Sequence, residues 1–289
     1  MKPAAFEYER PESVVAALDL LAQDDDGTKI IAGGQSLVSM MNFRLARPSR
    51  LIDINRLPEL DYIRSESGPG GNEIAIGALA RHADVKSSAL VAEACPLMHM
   101  SYEWVAHSAV RNRGTLCGNL CHADPASEMP AVALAVGATM VLRSRSGERR
   151  VAADDFFTGI FSTDARPDEM LIEVRVPFAP AGQKAGFSET SMRKGDFAWA
   201  LAAALMTLRA DKIEEVTITC GGVGDRPVRL TDVEAALIGQ TANDALFKRA
   251  GDLAKDAVQP YGDAAVSAQY RQDLIQTLVP RALAQAAQS

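Results

Sequence analysis

Much of what would classify a protein quickly is missing from these 289 residues. No apolar run approaches the roughly 20 residues a bilayer-spanning helix needs. The opening MKPAAFEYERPE turns acidic at once and lacks the apolar core of a signal peptide, so a cytoplasmic location is the expectation. Positive charge is in the minority: 30 Lys and Arg against 37 Asp and Glu leave a net charge of −7. Nucleic-acid binding calls for a basic face, whereas Arg111, Arg113 and the arginines of 143–150 form short groups that read as solvated loops. Cys95, Cys117, Cys121 and Cys220 are too few and too scattered for a disulfide framework. Cys117-x-x-x-Cys121-His122 has the wrong spacing for c-type haem attachment, and no further ligands accompany it for zinc or an iron–sulfur cluster. No metal site is expected. His82, His99, His107 and His122 have no obvious partners, and no nucleophile–base constellation emerges. Internal repeats and low-complexity tracts are absent as well.

What is present is an ordinary globular composition, 47% hydrophobic and 23% charged, in a chain long enough for two domains. Phe6 to Tyr8 reads as a short strand. Pro11-Glu12-Ser13 starts a helix with Val14, Ala17, Leu18 and Leu21 on one face. A turn at Asp24-Asp25-Asp26-Gly27 ends it, and residues 29–31 read as a buried strand. Leu37, Met40 and Met41 share a helical face, with core packing as the plainest account of the methionines. Residues 50–54 form a strand, Leu57-Pro58 a turn, and Ile63, Ile74 and Ile76 suggest a hairpin around Gly68 to Gly71. Residues 80–109 are helical with a break at Cys95-Pro96, and 129–136 is core. Strands follow at 139–142 and 149–151, with a helical turn at 154–157 and an alternating strand over 170–176. Residues 178–182 look like a linker. Beyond it come a strand near 187–190, a long small-residue apolar run at 198–208, and a strand at 216–220. Helices near 231–237, 244–257 and 267–287 complete a second α+β unit.

Two stretches stand apart. IIAGGQSL, residues 30–37, is strand, glycine turn and helix start, a combination that lets backbone N–H groups approach an anion; the alternative is a plain turn. RNRGTLCGNLCHADP, residues 111–125, is polar and glycine-punctuated beside a core segment, so its backbone groups need partners. A bound polar ligand or a self-satisfying compact loop would each provide them.

Taken together, IIAGGQSL, FRLARPSRLIDI, RNRGTLCGNLCHADPASEMPAV, DDFFTGIFST, EMLIEVRVP, RKGDFAWA and ITCGGVGDRPVR resemble the FAD-binding medium subunit of the molybdenum hydroxylases. This is the family of carbon monoxide dehydrogenase medium chains and of the flavin segment of xanthine dehydrogenase. The matches run in order through nearly the whole chain. The resemblance implies an α+β fold: a two-lobed FAD-binding domain of the vanillyl-alcohol-oxidase or p-cresol-methylhydroxylase type over residues 1–177, with lobes of about 1–55 and 56–177. A smaller α+β flavoprotein C-terminal domain would follow over 183–287.

By the same resemblance, Ile31, Ala32, Gly33, Gly34, Gln35, Ser36 and Leu37 face Thr115, Leu116, Cys117, Gly118 and Asn119 across the FAD pyrophosphate. Asp124 belongs to the same cofactor set. Glu128 stands where the family usually has aspartate near the ribityl or ribose hydroxyls. Val105 lines the adenine, Ile172 lies near the adenine or ring, and Asp196 and Phe197 flank the isoalloxazine, on which Phe197 would stack unless it is a core aromatic. Cys117 replaces a glycine common in the family; the expectation is that the loop keeps its shape and the sulfur packs inward. The resemblance further implies a large partner subunit with the molybdopterin cofactor and a small one with [2Fe–2S] clusters, in a dimer of heterotrimers. This chain would pass electrons from the clusters to an external acceptor. AGGQSL and NFRLARP resemble bacterial enzymes that hydroxylate N-heterocycles. A stand-alone flavin oxidoreductase and a non-catalytic nucleotide-binding module are the rival readings.

Overall fold

The structure, a computed structural model, describes residues 1–23, 27–68 and 70–288. Its first sheet joins Glu7–Glu9 (β1), Thr28–Ile31 (β2) and Arg50–Asp53 (β3), all parallel, in the order β1-β3-β2. Helix α1 (Val14–Leu21) links β1 to β2, and α2 (Leu37–Asn42) links β2 to β3. Ser13 caps α1 by accepting from the Ala16 N–H at 3.1 Å, and the helix buries the four residues its spacing picks out. The expected turn residues Asp24, Asp25 and Asp26 lie outside the described residues. The reading of 29–31 as a buried strand needs correction: Lys29 is exposed and both isoleucines are half-buried. β2 is an edge strand, and the central places belong to Leu51 and Ile52 of β3. Met41 is buried, whereas Leu37 and Met40 are only half-buried.

The second sheet begins with the hairpin of β4 (Ile63–Gly68) and β5 (Gly71–Gly77), in which Ile63 faces Ile76; Pro69 in its turn lies outside the described residues. Six short helices follow: α3 (His82–Ser87), α4 (Ala89–Ala94), α5 (Pro96–Ser101), α6 (Ser108–Arg111), α7 (Leu116–His122) and α8 (Glu128–Ala135). The break between α4 and α5 falls at Cys95-Pro96, where proline ends one helix and starts the next. Strands β6 (Thr139–Ser144) and β7 (Gly147–Ala152), helix α9 (Ala153–Phe156), the small hairpin β8 (Phe157–Gly159) and β9 (Ser162–Thr163), and β10 (Met170–Pro177) complete the unit. The sheet order is β4-β5-β10-β6-β7. β10 is its central strand and is buried on both faces from Met170 to Val174, so the alternation expected there is absent. The polar stretch 111–125, read as a loop, holds the whole of α7.

The third sheet is antiparallel: β11 (Gln183–Ser191), β12 (Ala198–Arg209), β13 (Lys212–Gly221) and β14 (Val228–Arg229), in that order. Helices α10 (Thr231–Leu237), α11 (Asp244–Ala257) and α12 (Ala268–Gln288) cover one face. The apolar run at 198–208 is the central strand β12. Ala200, Ala202, Ala204 and Met206 pack toward these helices, while Leu201, Ala203 and Leu205 join the core of the second sheet. The supposed linker is fastened: Phe178 donates its N–H to Asn72 O at 3.0 Å and Ala179 to Ala94 O at 2.7 Å.

Candidate cofactor-binding site

The two glycine stretches meet. The chain leaves β2 at Ile31, turns through Ala32 and Gly33 to Gly34 in the left-handed region (φ 71°), and enters α2. A Cβ on Gly33 would lie 2.4 Å from Arg113 O and 2.6 Å from Gly114 Cα. Glycine is therefore required here by the approach of the second stretch, and the space it frees is filled by the chain's own backbone. That corrects the simpler idea that this glycine clears room for a ligand. On the second stretch Thr115 caps α7, accepting from the Gly118 N–H at 3.1 Å. Among the described residues, the N–H groups of Gly34, Gln35, Ser36 and Leu37, and those of Thr115 and Cys117, have no protein acceptor. Donors left over on two apposed loops suit the oxygens of a diphosphate.

The tie between the loops comes from residues that sequence reasoning missed. Asn55 donates to Ala32 O (2.7 Å) and to Asp53 Oδ1 (2.6 Å). Arg81 donates to Asn55 Oδ1 and, through its other terminal nitrogen, to Arg113 O, both at 2.7 Å. One guanidinium thus spans both stretches. Burial works against ionising Asp53, but hydrogen bonds from Tyr8 and Asn55 hold its carboxyl below the ordinary range. Beneath the second stretch, His82 donates its backbone N–H to Gly114 O (2.9 Å) and sets Nδ1 3.1 Å from the Tyr102 hydroxyl. Burial, reinforced by Arg111, pushes its pKa down to about 4, so it is a neutral support. Nothing in the spacing marks Arg81; Asn55 carries a weak signal, because Asp53-x-Asn55 after a strand forms an Asx turn, with Asn55 N–H on Asp53 Oδ1 at 2.9 Å.

The remaining residues divide into two groups. Leu116, Cys117, Val105 and Ile172 are core side chains; the Cys117 sulfur points inward, 3.7 Å from Ile76 O. Cys117 therefore offers a ligand its backbone N–H alone, while the Leu116 N–H is already given to Ala80 O at 3.4 Å. The others form the rim. Asn119 donates to Ser127 Oγ at 2.8 Å, and Asp124 accepts from Ala126 N–H through Oδ1 at 2.9 Å. Glu128 is buried at the start of α8, and burial, with the charge of Asp124, pushes its pKa up to about 7. Asp196 and Phe197 sit between β11 and β12. Gly195 (φ 95°) leans on the first domain, where its Cβ would lie 2.6 Å from His107 Nδ1. Asp196 Oδ1 is 3.7 Å from His107 Nε2, and Ala198 N–H donates to Ala126 O at 3.0 Å. Phe197 is 55% exposed, which removes the core-aromatic alternative. The structure thus gathers 31–37, 113–119, 124–128 and 196–197 around one place, while the side chain of Ile172 packs in the core cluster that also holds Val105, Leu116 and Cys117.

Comparison with known proteins identifies the family. Residues 4–179 match the family described as the FAD binding domain in molybdopterin dehydrogenase, and 185–286 match the CO dehydrogenase flavoprotein C-terminal domain. The chain is 42% identical over 287 residues to 6-hydroxypseudooxynicotine dehydrogenase complex subunit alpha of Paenarthrobacter nicotinovorans, covering 99% of this chain and 96% of that one. It is 38% identical to the glyceraldehyde dehydrogenase medium chain of Sulfolobus acidocaldarius, covering 99% and 100%. A solved carbon monoxide dehydrogenase from Hydrogenophaga pseudoflava, lacking the Mo-pyranopterin moiety, matches with a TM-score of 0.94 and 37% identity over 99% of this chain and 98% of that one.

Proposed function

This chain belongs to the family of FAD-binding medium subunits of the molybdenum hydroxylases, and from that premise we propose that it is the electron-transfer subunit of such a complex. It takes electrons from [2Fe–2S] clusters on a small partner and passes them to an external acceptor. The substrate is hydroxylated on a large partner that carries the molybdopterin cofactor. The assembly is a dimer of heterotrimers in the cytoplasm; among the described residues no helix is long and apolar enough to cross a membrane. Residues 1–177 serve as the FAD unit and 183–287 as the domain that supplies Asp196 and Phe197.

The observation that carries this reading is the closure of the two glycine stretches on each other, with Gly33 against Arg113 O and the neighbouring N–H groups unpaired. The free N–H groups of residues 34–37 on one side and of Thr115 and Cys117 on the other bind the pyrophosphate. Asn119, Asp124 and Glu128 orient the hydroxyl-bearing part of the cofactor, and Phe197 covers the ring and excludes water. Bound FAD supplies the two-electron chemistry; the protein binds, orients and tunes it.

The substrate is set elsewhere. Relatives of comparable identity are named for a pyridine-derived compound and for glyceraldehyde, so the medium chain does not select it. The first of these supports an N-heterocyclic substrate for this complex. The test is direct: the purified chain should carry about one FAD, visible as flavin absorbance, and should co-purify with molybdopterin and iron–sulfur subunits. A chain that stays colourless after incubation with FAD would overturn the proposal.

A further inference from the structure

We propose that Glu189 and Glu128 form a buried carboxyl pair beside the flavin site that holds one proton and takes up a second from solvent when the flavin is reduced. This rests on the flavin reading above and adds a residue, Glu189, that it does not use.

Glu189 lies on β11 opposite Leu201, on the same face as Ala185 and Phe187, and so points into the core shared with the first domain. It is only 6% exposed, and neither of its carboxylate oxygens has a hydrogen-bond partner. Glu128, 4% exposed, opens a helix in which every residue is buried. Among the described residues neither glutamate forms an ion pair with Lys, Arg or His. The groups that act on them are all acidic or neutral. Asp124, just before α8, adds negative charge at Glu128, and Glu128 adds it at Glu189. Tyr102, at the end of α5, is fully buried, and burial, with Cys117 and Glu128 adding to it, keeps the phenol protonated. On β11 itself Ser191 is near enough to ease the Glu189 charge slightly without making a hydrogen bond to it. His99 of α5 is exposed, and β12 presents Leu201 and Ala203.

Two carboxylates in one interior with no countercharge do not both ionise. Burial, with the Asp124 charge, lifts Glu128 to about 7, and burial together with the Glu128 charge lifts Glu189 to about 8. They titrate as one unit. Geometry brings both glutamates to one junction, because Ser191, two residues after Glu189, pairs with Ala198 across the sheet. Ala126, two residues before Glu128, accepts from the N–H of Ala198, which directly follows Phe197.

The balance is simple. Two electrons, from the partner's clusters or from dithionite, bring one proton onto the flavin and leave one negative charge there. That charge raises the proton affinity of the nearby pair. Its singly protonated form becomes doubly protonated by drawing one proton from solvent, forming one O–H bond and breaking none in the protein. Two electrons and two protons enter, and the net charge of the site is unchanged.

The test is proton uptake by the FAD-loaded full chain on dithionite reduction, followed with a pH indicator between about pH 7 and 8, with oxidised-minus-reduced infrared spectra alongside. About two protons per two electrons are expected for the native chain and about one for the double variant Glu128→Gln/Glu189→Gln, since either glutamate left alone beside the flavin would still take up a proton. The native spectrum should gain a carboxyl C=O band on reduction that the variant lacks. If the buried amides prevent folding, Glu128→Leu/Glu189→Leu replaces both carboxyls with apolar groups, and the native infrared spectrum stands by itself. Equal uptake in native and variant chains that both hold FAD, with no carboxyl band, overturns the inference alone. Failure of the native chain to bind FAD overturns both it and the reading beneath it.

Discussion

At Gly33 a single hydrogen separates a closed site from a sprung one. An alanine methyl would have to fit 2.4 Å from the Arg113 carbonyl oxygen, so the second stretch must move away. Gly33→Ala is expected to lower stability by about 1–3 kcal/mol, the usual cost of forcing a methyl into packed backbone, and to lose FAD. Gly70→Ala, where the added Cβ meets nothing within 4 Å, is the matched control and should retain both. Retention of one FAD per chain in Gly33→Ala, read from flavin-to-protein absorbance, would show that closure is not what holds the cofactor. Arg81 tests the same closure from its polar side. Arg81→Ala removes two hydrogen bonds from a charged donor, each worth roughly 1.5–3 kcal/mol, and FAD affinity should fall at least about tenfold. Arg81→Lys keeps the charge but not the planar fork, so it should recover only part of the loss when release is followed by flavin fluorescence. Both effects should appear in the dissociation constant, alongside a lowered melting temperature for Arg81→Ala.

Between elements, β11 approaches α12 closely at a glycine. A Cβ on Gly186 would lie 1.9 Å from Ala282 O and 2.9 Å from Ala286 N. Gly186→Ala must therefore lift the helix from the sheet, and urea unfolding should show a loss of about 1–3 kcal/mol. An unchanged midpoint would mean that α12 is free to shift. That contact also shows what could be read from sequence and what could not. Helices α1, α10, α11 and α12 were legible because they are amphipathic and several carry caps such as Ser13 and Asn243. The hairpins β4–β5 and β6–β7 were legible from alternation around glycine. β12 left no periodic signal, because cores press on both its faces and every position is small or apolar. β10 was found but misjudged for the same reason. In the site, the two glycine stretches were visible as motifs. The Asn55–Arg81 tie and the Glu189 carboxyl were not, since each depends on pairing across long sequence distances that spacing does not record.

On the scale of the whole molecule, the two domains share one core, in which Ala185, Phe187, Leu201 and Leu205 pack with residues of the second sheet. Hydrogen bonds seal the junction: Thr219 Oγ1 donates to Ala131 O at 2.9 Å and Gly222 N–H to Pro125 O at 2.7 Å. Shared burial of this kind couples the halves, so thermal unfolding should proceed in one calorimetric transition; two well-separated peaks would contradict it. The buried glutamates make that transition depend on pH in a definite sense. Their folded-state pKa values are raised to about 7 and about 8 from an ordinary value of 4.5, so the folded chain holds protons that the unfolded chain releases. The stability they contribute is complete below the ordinary carboxyl pKa and is lost as pH rises through the raised values. His82 acts in the opposite sense. Its pKa is lowered to about 4 from 6.5, so its contribution is complete above the ordinary imidazole pKa and is lost as pH falls toward 4. The melting temperature of the flavin-free chain should therefore decline between about pH 5 and 8, and Glu189→Gln should flatten the alkaline part of that decline. A native chain whose melting temperature rises across this window would place the balance of charge at the domain junction elsewhere.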